Sequence, residues 1–151
     1  MGAKLEGVAG TKRYIRRMVQ KRIDDYLQIL KRVGMQTVTA IRKSKVSNWD
    51  DHSGNLRSSI GFIVMHDGRE FARNFELYNG RGEEGLKKGQ SYAEELASQY
   101  PNGFALIIVA GMEYAAYVES IQSKIVLEGG RKLSNDLYKE LVSKFEAKYG
   151  K

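Results

Sequence analysis

The segment from Tyr14 to Lys43 constrains the fold of this chain most, because it contains no proline and its apolar side chains recur at helical spacing. Spacings of three, four and seven or eight residues separate the members of one apolar stripe, Ile15, Val19, Tyr26, Leu30, Val33 and Ile41. A helix of about thirty residues is roughly 45 Å long, which is more than one small domain needs. We therefore expect part of it to project or to pack against another chain. Gly34 lowers the stability of the helix and Arg22 lies inside the stripe, so the sequence allows a bend near residue 34 or a polar partner for Arg22.

The positive charge of the chain is concentrated in the same region. Residues 1–45 hold twelve Lys or Arg and three Asp or Glu, a formal charge of +9, whereas the whole chain carries +7. Such a basic helix indicates contact with nucleic acid, an acidic protein surface or a membrane, although a solvated helix face explains the pattern equally well. Basic side chains opposite the apolar stripe, with three from a later loop, are candidate contacts to DNA or to a partner: Arg13, Arg17, Lys21, Lys31, Arg32, Arg81, Lys87 and Lys88.

Aromatic side chains do not alternate with these basic residues, because the tyrosines of the helix lie toward its apolar side. Stacking platforms for single-stranded nucleic acid are therefore missing from the basic face. The sequence disfavours base-specific recognition, and it leaves open contact with the backbone of a duplex or with an acidic partner.

The composition is that of one folded domain. With 42% apolar residues the 151-residue chain can bury its own core, so we expect a single domain with a flexible segment at residues 1–13. The chain contains no cysteine, which excludes disulfides and thiolate metal sites. Its longest apolar run, residues 104–111, is too short to span a bilayer, and no apolar stretch follows the basic N-terminus as in a signal peptide. We expect a soluble intracellular protein without a membrane partner.

A hairpin, a loop and a short helix are predicted in the middle of the sequence. Residues 60–66 and 71–78 are rich in apolar and β-branched side chains, and the Asp-Gly pair between them predicts a hairpin. Glycine-rich residues 79–90 show no periodicity, which predicts an exposed, mobile loop. Ser91 is expected to cap a short helix, because Glu94 stands at the reciprocal position of a capping box.

The last third of the sequence predicts a strand and a closing helix. Residues 104–110 contain no polar side chain, which predicts a central strand. A helical turn at residues 112–121 and a short strand at residues 124–128 are expected next. Residues 133–150 repeat apolar side chains at four-residue spacing and predict a C-terminal helix. The fold class expected is α+β: a mainly antiparallel sheet of about four strands, with the long N-terminal helix and the C-terminal helix packed on it.

Two short stretches resemble nucleotide-binding or catalytic motifs. Residues 80–85, GRGEEG, match the glycine spacing of a dinucleotide-binding loop, but no parallel βαβ unit surrounds them and two glutamates stand where phosphate would bind. Asp50, Asp51 and His52 offer ligands for a divalent metal, yet adjacent residues rarely reach one ion, and a polar turn explains them better. The nearby serines lack the turn that presents a nucleophile. We expect no catalytic site and no cofactor.

Two further motifs resemble those of a known family. S-G-N-L-R-S-S-I opens the first strand with Ser53, Gly54, Leu56, Arg57, Ser59 and Ile60, and Y-A-A-Y-V-E follows the buried strand with Tyr114, Ala115, Tyr117, Val118 and Glu119. Their order between a long N-terminal helix and a C-terminal helix is similar to that in the tail-completion, or head-tail joining, proteins of long-tailed bacteriophages.

This resemblance implies a non-catalytic structural protein that is assembled in the host cytoplasm and forms a homo-oligomeric ring in the neck of the virion. The implied partners are the portal or head-tail adaptor protein, the tail terminator or tail tube protein, and genomic DNA in the channel. An overlong helix, an exposed hairpin edge and a mobile loop suit a ring protomer. Two alternatives stay open, a non-specific DNA-binding module and a metal-dependent DNA-processing enzyme that uses Asp50, Asp51 and His52.

The first of these motifs is expected to form a corner of the chain. Gly54 is free to adopt a backbone conformation that other residues resist, and Leu56 and Ile60 are expected to turn inward. Arg57, at the mouth of the strand, is expected to pair with Glu119 and so to join the two motifs.

Overall fold

The computed structural model describes residues 2–43, 53–110 and 128–150. In chain order the elements are α1 (Gly2–Arg42), α2 (Asn55–Ser58), β1 (Ile60–His66), β2 (Arg69–Phe75), α3 (Glu83–Ala97), β3 (Phe104–Ala110) and α4 (Glu128–Tyr149). The three strands form one antiparallel sheet in the order β2-β1-β3. The described residues therefore form an α+β fold with a long helix near each end of the chain, as the sequence predicts.

The side chains of β1 form the centre of the core because they are buried on both faces of the sheet. Successive side chains of a strand point to opposite faces. Phe62 and Val64 join the cluster formed with α1, whereas Ile63 and Met65 join the cluster formed with α3. The domain is therefore layered, with α1 on one face of the sheet, α4 packed beside α1, and α3 on the other face.

A two-residue turn at Asp67 and Gly68 joins β1 to β2. Both residues have positive φ, 49° and 79°, which fits the turn type that favours an Asp-Gly pair. The carboxylate of Asp67 also accepts a hydrogen bond of 2.8 Å from the backbone N–H of Gly103, so the turn is tied to the start of β3. The predicted hairpin is confirmed, although β2 ends at Phe75 rather than at residue 78.

The packing of α1 on β1 requires a glycine. A Cβ atom at Gly34 would lie 2.7 Å from the ring of Phe62, which is closer than van der Waals contact allows. The ring of Phe62 is fully buried and occupies the space that a larger residue at position 34 would need. The helix continues through Gly34 to Arg42. The glycine that costs helix stability thus permits close packing.

α4 runs antiparallel along α1. Near the start of α4, Gly130 packs so tightly that its Cβ would lie 2.3 Å from Cδ1 of Ile41. Halfway along, the hydroxyl groups of Tyr138 and Tyr26 share a hydrogen bond of 2.5 Å. The glycines at positions 129 and 130 therefore belong to α4, which begins before the predicted residue 133, and Gly130 permits its close contact with α1.

The C-terminal end of α4 is fastened to α1 at Asp25. The Asp25 carboxylate accepts hydrogen bonds from the hydroxyl of Tyr149 and, at 3.0 Å, from Nζ of Lys148. The Tyr149 hydrogen bond, and then that of Lys148, hold the pKa of Asp25 below its ordinary value. The guanidinium of Arg22 lies 4.9 Å from the centre of the Tyr149 ring, so the partner of Arg22 is an aromatic ring.

The start of α3 differs from the prediction. α3 begins at Glu83, so a loop through residue 90 and a cap at Ser91 are wrong, and Ser91 lies inside the helix. The N-terminal cap comes from a distant residue, because Oδ1 of Asn55 accepts a hydrogen bond of 3.2 Å from the backbone N–H of Gly85. The acidic residues in the first turn of α3 add favourable charge at its N-terminus.

The long helices also begin earlier than the sequence predicts. α1 begins at Gly2, so residues 2–13, expected to be flexible, are helical, and no proline interrupts them. α4 begins at Glu128, which the sequence places at the end of a strand. The helical turn expected at residues 112–121 and the rest of the strand expected at residues 124–128 lie outside the described residues. Within the described part of the chain the sheet has three strands.

We expect the Asp25→Asn variant to remove a pH dependence from the free energy of unfolding. Because the pKa of Asp25 is lowered in the folded protein, its contribution is complete above the ordinary carboxylate pKa and is lost as the pH falls through the lowered value. Urea unfolding should separate the variant from the wild type at neutral pH and bring the two together in acid. Asp24→Asn removes the same charge next to this contact and is the control. A difference that persists in acid would contradict this assignment.

Candidate functional site

α1 extends well beyond the point at which α4 ends. α4 ends at Tyr149, beside Arg22 and Asp25 of α1, so residues 2–21 continue past the packed part of the domain. At 1.5 Å per residue this projecting part, here named the arm, is about 30 Å long. From residue 7 onward every arm side chain is exposed except that of Met18, which is half-buried. The arm is the projecting part that the length of the helix predicts.

An apolar stripe on the arm continues the core-facing side of α1. At about 100° per residue, Val8, Ile15 and Val19 fall on the same side as Tyr26 and Val33. Their side chains are nevertheless 53%, 54% and 51% exposed. The three side chains lie along one side of the helix, and exposed apolar surface of this kind marks sites that bind other molecules. We name these three residues the arm stripe and regard them as the candidate interaction surface.

The remaining surface of the arm carries several basic side chains. Its exposed cations are Lys12, Arg13, Arg16, Arg17 and Lys21. The sequence contains no Asp or Glu between residues 7 and 23 to offset them. Two further predicted contacts, Lys31 and Arg32, are exposed farther along α1. The structure therefore brings together the predicted contacts Arg13, Arg17 and Lys21 on the arm.

The three basic residues predicted from the later loop lie elsewhere. Arg81 and Lys87 are exposed at the start of α3, and Nζ of Lys88 lies 3.2 Å from the carboxylate of Glu84. α3 packs on the face of the sheet opposite to α1. The structure does not bring these residues together with the arm, so they do not extend its basic surface.

The first family motif forms a buried corner before β1. Gly54 has a φ of 80°, in the left-handed region that favours glycine. Leu56 and Ile60 are buried in the cluster between the sheet and α1, and the Oγ of Ser59 donates a hydrogen bond of 2.6 Å to the carbonyl oxygen of Leu56. The predicted corner and its two inward-facing residues are confirmed.

A second serine joins this corner to the segment after β2. The Oγ of Ser58 donates a hydrogen bond of 2.7 Å to the carbonyl oxygen of Arg81 and accepts one of 2.8 Å from the backbone N–H of Tyr78. Both Ser58 and Ser59 are completely buried. Their hydroxyl groups satisfy backbone groups and are closed to a substrate, which explains the serine-rich motif without a nucleophile.

The glycines that resemble a nucleotide-binding loop allow α3 to pack closely on the backbone of another segment. A Cβ at Gly85 would lie 1.9 Å from the carbonyl oxygen of Asn55, and a Cβ at Gly89 would lie 2.3 Å from that of Ser59. α3 thus packs directly on the backbone around α2. The space that a phosphate would need is filled by carbonyl oxygens, which repel anions.

Arg57 packs on an aromatic ring. Its guanidinium lies 4.7 Å from the centre of the Tyr78 ring, in the geometry of a cation–π contact. The expected partner, Glu119, lies outside the described residues, as does the whole motif at residues 114–119. Within the described part, Arg57 therefore links the corner to the segment after β2.

Arg42 is a structural residue that sequence reasoning missed. Nε and Nη2 donate hydrogen bonds of 3.1 and 2.6 Å to the carbonyl oxygen of Ile60, and Nη1 donates one of 2.7 Å to Oδ1 of Asn74. Burial lowers the pKa of Arg42, whose side chain is 11% exposed, and the carboxylate of Glu76 at 3.7 Å opposes this shift. Arg42 and Arg57 line one cavity of about 460 Å³. In the sequence Arg42 is only a basic residue in the last turn of a helix, and this position does not predict which groups its side chain binds.

A metal centre finds no support in the described part of the chain. No group of three or more His, Cys, Asp or Glu in residues 2–43, 53–110 and 128–150 could hold a metal ion. Asp50, Asp51 and His52 lie outside these ranges.

The ring of His66 stacks on that of Phe104, with 4.5 Å between their centres. None of the helices in these ranges has the length and apolar character that a membrane span requires.

We expect Gly85→Ala to destabilise the domain by about 1–3 kcal/mol or more, because the new methyl group would overlap the backbone of Asn55. Gly10→Ala is the matched control, since nothing lies within 4 Å of the Cβ it would add. Alanine in an exposed helix should make that variant equal to the wild type or slightly more stable. Urea unfolding of the three proteins measures the difference. Equal midpoints for both variants would show that α3 does not pack on α2 in this way.

Of the two motifs that resemble the head-tail joining family, residues 53–60 lie in the described part of the chain and residues 114–119 lie outside it. No protein-family model, no curated protein and no solved structure matches the chain.

Proposed function

We propose that this chain is a non-catalytic structural protein of the neck of a tailed bacteriophage, where its copies form a ring between the head connector and the tail. The observation that carries the proposal is the arm, whose apolar stripe is exposed in the single chain. The motif S-G-N-L-R-S-S-I, which resembles that of head-tail joining proteins, supports it, since this motif builds the corner on which α3 is placed.

The arm is difficult to explain in a protein that works as a monomer. In proteins most of the stability of a helix comes from the packing of its apolar side, and the described residues do not cover that side on the arm. Val8, Ile15 and Val19 are exposed along one side of it. A second polypeptide that covers them would stabilise the helix and form the contact at the same time. Each protomer of a ring meets a neighbour on either side, so the ring supplies such a polypeptide.

We also propose that the assembled protein has a sheet of about four strands. Within the described residues β3 is an edge strand, and all its side chains are apolar. Natural edge strands usually carry charges that keep other strands from pairing with them. β2, the other edge strand, follows this rule with Arg69, Glu70 and Arg73. An additional strand is therefore expected beside β3.

The partners in this proposal are further copies of the chain, the portal or head-tail adaptor protein, and the tail terminator or tail tube protein. The place of action is the neck of the virion, after assembly in the host cytoplasm. Basic side chains on the arm suit a channel through which DNA passes without being read.

Ile15→Asp combined with Val19→Asp should prevent ring formation without unfolding the domain, because both side chains are more than half exposed. Electron microscopy of the chain with its neck partners should show rings for the wild type and none for the variant. Urea unfolding verifies that the domain of the variant is intact. Ala9→Asp with Gln20→Asp adds the same charges away from the arm stripe and should leave the rings unchanged. Rings in the variant, or none in the wild type with portal and tail proteins present, would contradict the proposal.

The basic side of the arm favours a second candidate function, non-specific contact with duplex DNA. Five exposed cations lie on a helix without an acidic residue between positions 7 and 23. Such a surface binds phosphates through counterion release and reads no sequence. DNA bound to this basic surface would leave the arm stripe exposed, so we place this function second.

Replacing the three cations Arg13, Arg17 and Lys21 by Gln should weaken binding to a random duplex and reduce the salt dependence. The slope of log K against log salt should fall by about 0.9 for each phosphate that the variant no longer neutralises. Fluorescence anisotropy over a salt series measures both quantities. The control removes the same charge from exposed lysines of α4: Lys132, Lys139 and Lys144. An unchanged slope, or no binding by the wild type, would assign the arm to protein contacts alone.

A further inference from the structure

The arm stripe belongs to a line of side chains that runs along the whole of α1. Its members recur at intervals of eleven residues in two series: Val8, Val19, Leu30 and Ile41, and Ile15, Tyr26 and Thr37. An eleven-residue repeat makes about 3.67 residues per turn, close to the value of about 3.6 for an α-helix. The line therefore stays on nearly the same side of the helix from the arm to the core.

α4 covers the inner part of this line. Gly130 packs against Ile41, and farther along α4 the hydroxyl of Tyr138 shares a hydrogen bond of 2.5 Å with that of Tyr26. α4 ends at Tyr149, and the three side chains of the arm stripe beyond that point are more than half exposed. A second helix on the arm stripe would thus lie in line with α4 and continue its packing on α1.

Two cations border the arm stripe on one side. Lys12 and Arg16 lie about 40° and about 80° around the helix from Val8. They are four residues apart, which makes them neighbours on the helix surface, and both are exposed. Arg13 and Arg17 lie about 140° and about 180° from Val8, on the opposite side of the arm. A helix seated on the arm stripe can therefore reach the first pair and cannot reach the second.

The end of α4 shows an ion pair at the border of the same kind of contact. Nζ of Lys148 on α4 lies 3.0 Å from the carboxylate of Asp25 on α1. On the arm the charge of α1 is reversed, because Lys12 and Arg16 border the stripe and no Asp or Glu occurs between residues 7 and 23. A helix that continues the packing of α4 onto the arm needs carboxylates opposite these two cations.

Other occupants fit the arm less well. DNA would neutralise the cations without covering the arm stripe. A second arm in the antiparallel direction of α4 would bring Lys12 and Arg16 of both copies together, and like charges across a contact oppose association. A flat membrane surface would be held away from the arm stripe by α4, which packs on that side of α1. An amphipathic helix with an acidic border satisfies both the stripe and its cations.

We propose that the arm stripe binds an amphipathic helix of a partner polypeptide, which lies in line with α4 and presents carboxylates to Lys12 and Arg16. The inference rests on the proposed function, because assembly of the neck supplies the polypeptide, and it names the chemistry of the surface that contacts the arm. Arg13 and Arg17 stay exposed on the opposite side of the arm when this helix is bound.

A labelled synthetic peptide tests which chemistry the arm accepts. The peptide is an arm-length helix with leucines at alternating spacings of seven and four residues and glutamates along one border. Fluorescence anisotropy should show that the full chain binds it about tenfold or more tightly than the same peptide with lysines in place of the glutamates. Ile15→Asp with Val19→Asp should abolish this binding, because it removes the apolar contact.

Two results with the peptides would overturn the inference. One is that the acidic peptide binds no more tightly than the lysine peptide, or does not bind. The other concerns a third peptide with the sequence of residues 2–21, which represents the arm of a second copy. If this peptide binds more tightly than the acidic one, the occupant is another arm.

A matched pair of variants tests which side of the arm makes the contact. Lys12→Glu with Arg16→Glu should weaken binding of the acidic peptide about tenfold or more and favour the lysine peptide instead. Arg13→Glu with Arg17→Glu makes the same change of charge on the opposite side and should have a much smaller effect. The helix is about 10 Å across, which exceeds the Debye length of about 8 Å at physiological salt. Urea midpoints verify that both variants are folded, and an equal loss of binding in both would overturn the inference.

These results can be separated from those that test the proposed function. Rings of the wild type on neck partners, together with a chain that does not prefer the acidic peptide, would remove the inference and leave the neck function in place. Selective binding of the acidic peptide, without rings even when portal and tail proteins are present, would support the inference and remove the neck function.

Discussion

The rest of the structure depends on the burial of β1 on both faces. Ile60, Phe62, Ile63 and Val64 are at most 1% exposed. Complete burial of such a side chain contributes about 1.5–3 kcal/mol, so the four together are comparable with the net stability of a typical domain, about 5–15 kcal/mol. A strand buried in this way needs a helix layer on each side, and α1 and α3 supply the two layers. Arg42 adds polar bonds where the helix, β1 and β2 meet.

Sequence patterns predict the elements that have a local cause. β1 and β3 span the predicted residues, because continuous apolar runs mark buried strands, and the Asp-Gly pair fixes the turn after β1. The sequence places the start of α3 too late, because the N-terminal cap of this helix is provided by Asn55 and its glycines resemble those of a loop. A cap from a residue thirty positions earlier leaves no pattern in the helix itself. The same long-range contact explains why the glycine spacing resembles a phosphate-binding motif.

For the candidate site, the sequence predicts that α1 is basic and overlong, but not where it leaves the domain. That point is set by Tyr149 and Asp25, whose contact joins the end of α4 to α1. For Arg42 the sequence does not reveal that a cation is buried. In sequence it is one more cation of a basic helix, like Arg17, yet it is almost buried and binds the carbonyl oxygen of Ile60, whereas Arg17 is exposed. Counting charges along the helix therefore overstates the charge presented to a partner, because the count takes no account of burial.

The continuity of α1 has a mechanical consequence. The helix runs without interruption from the arm to Gly34, whose backbone packs closely against the ring of Phe62. The hydrogen bonds of Asp25 lie between these two regions and hold α1 against α4. Because a packed core is nearly incompressible, a sideways force on the tip of the arm is carried through the helix to the central strand. A force on the arm therefore acts on the packing around β1, because α1 connects the two without a flexible segment.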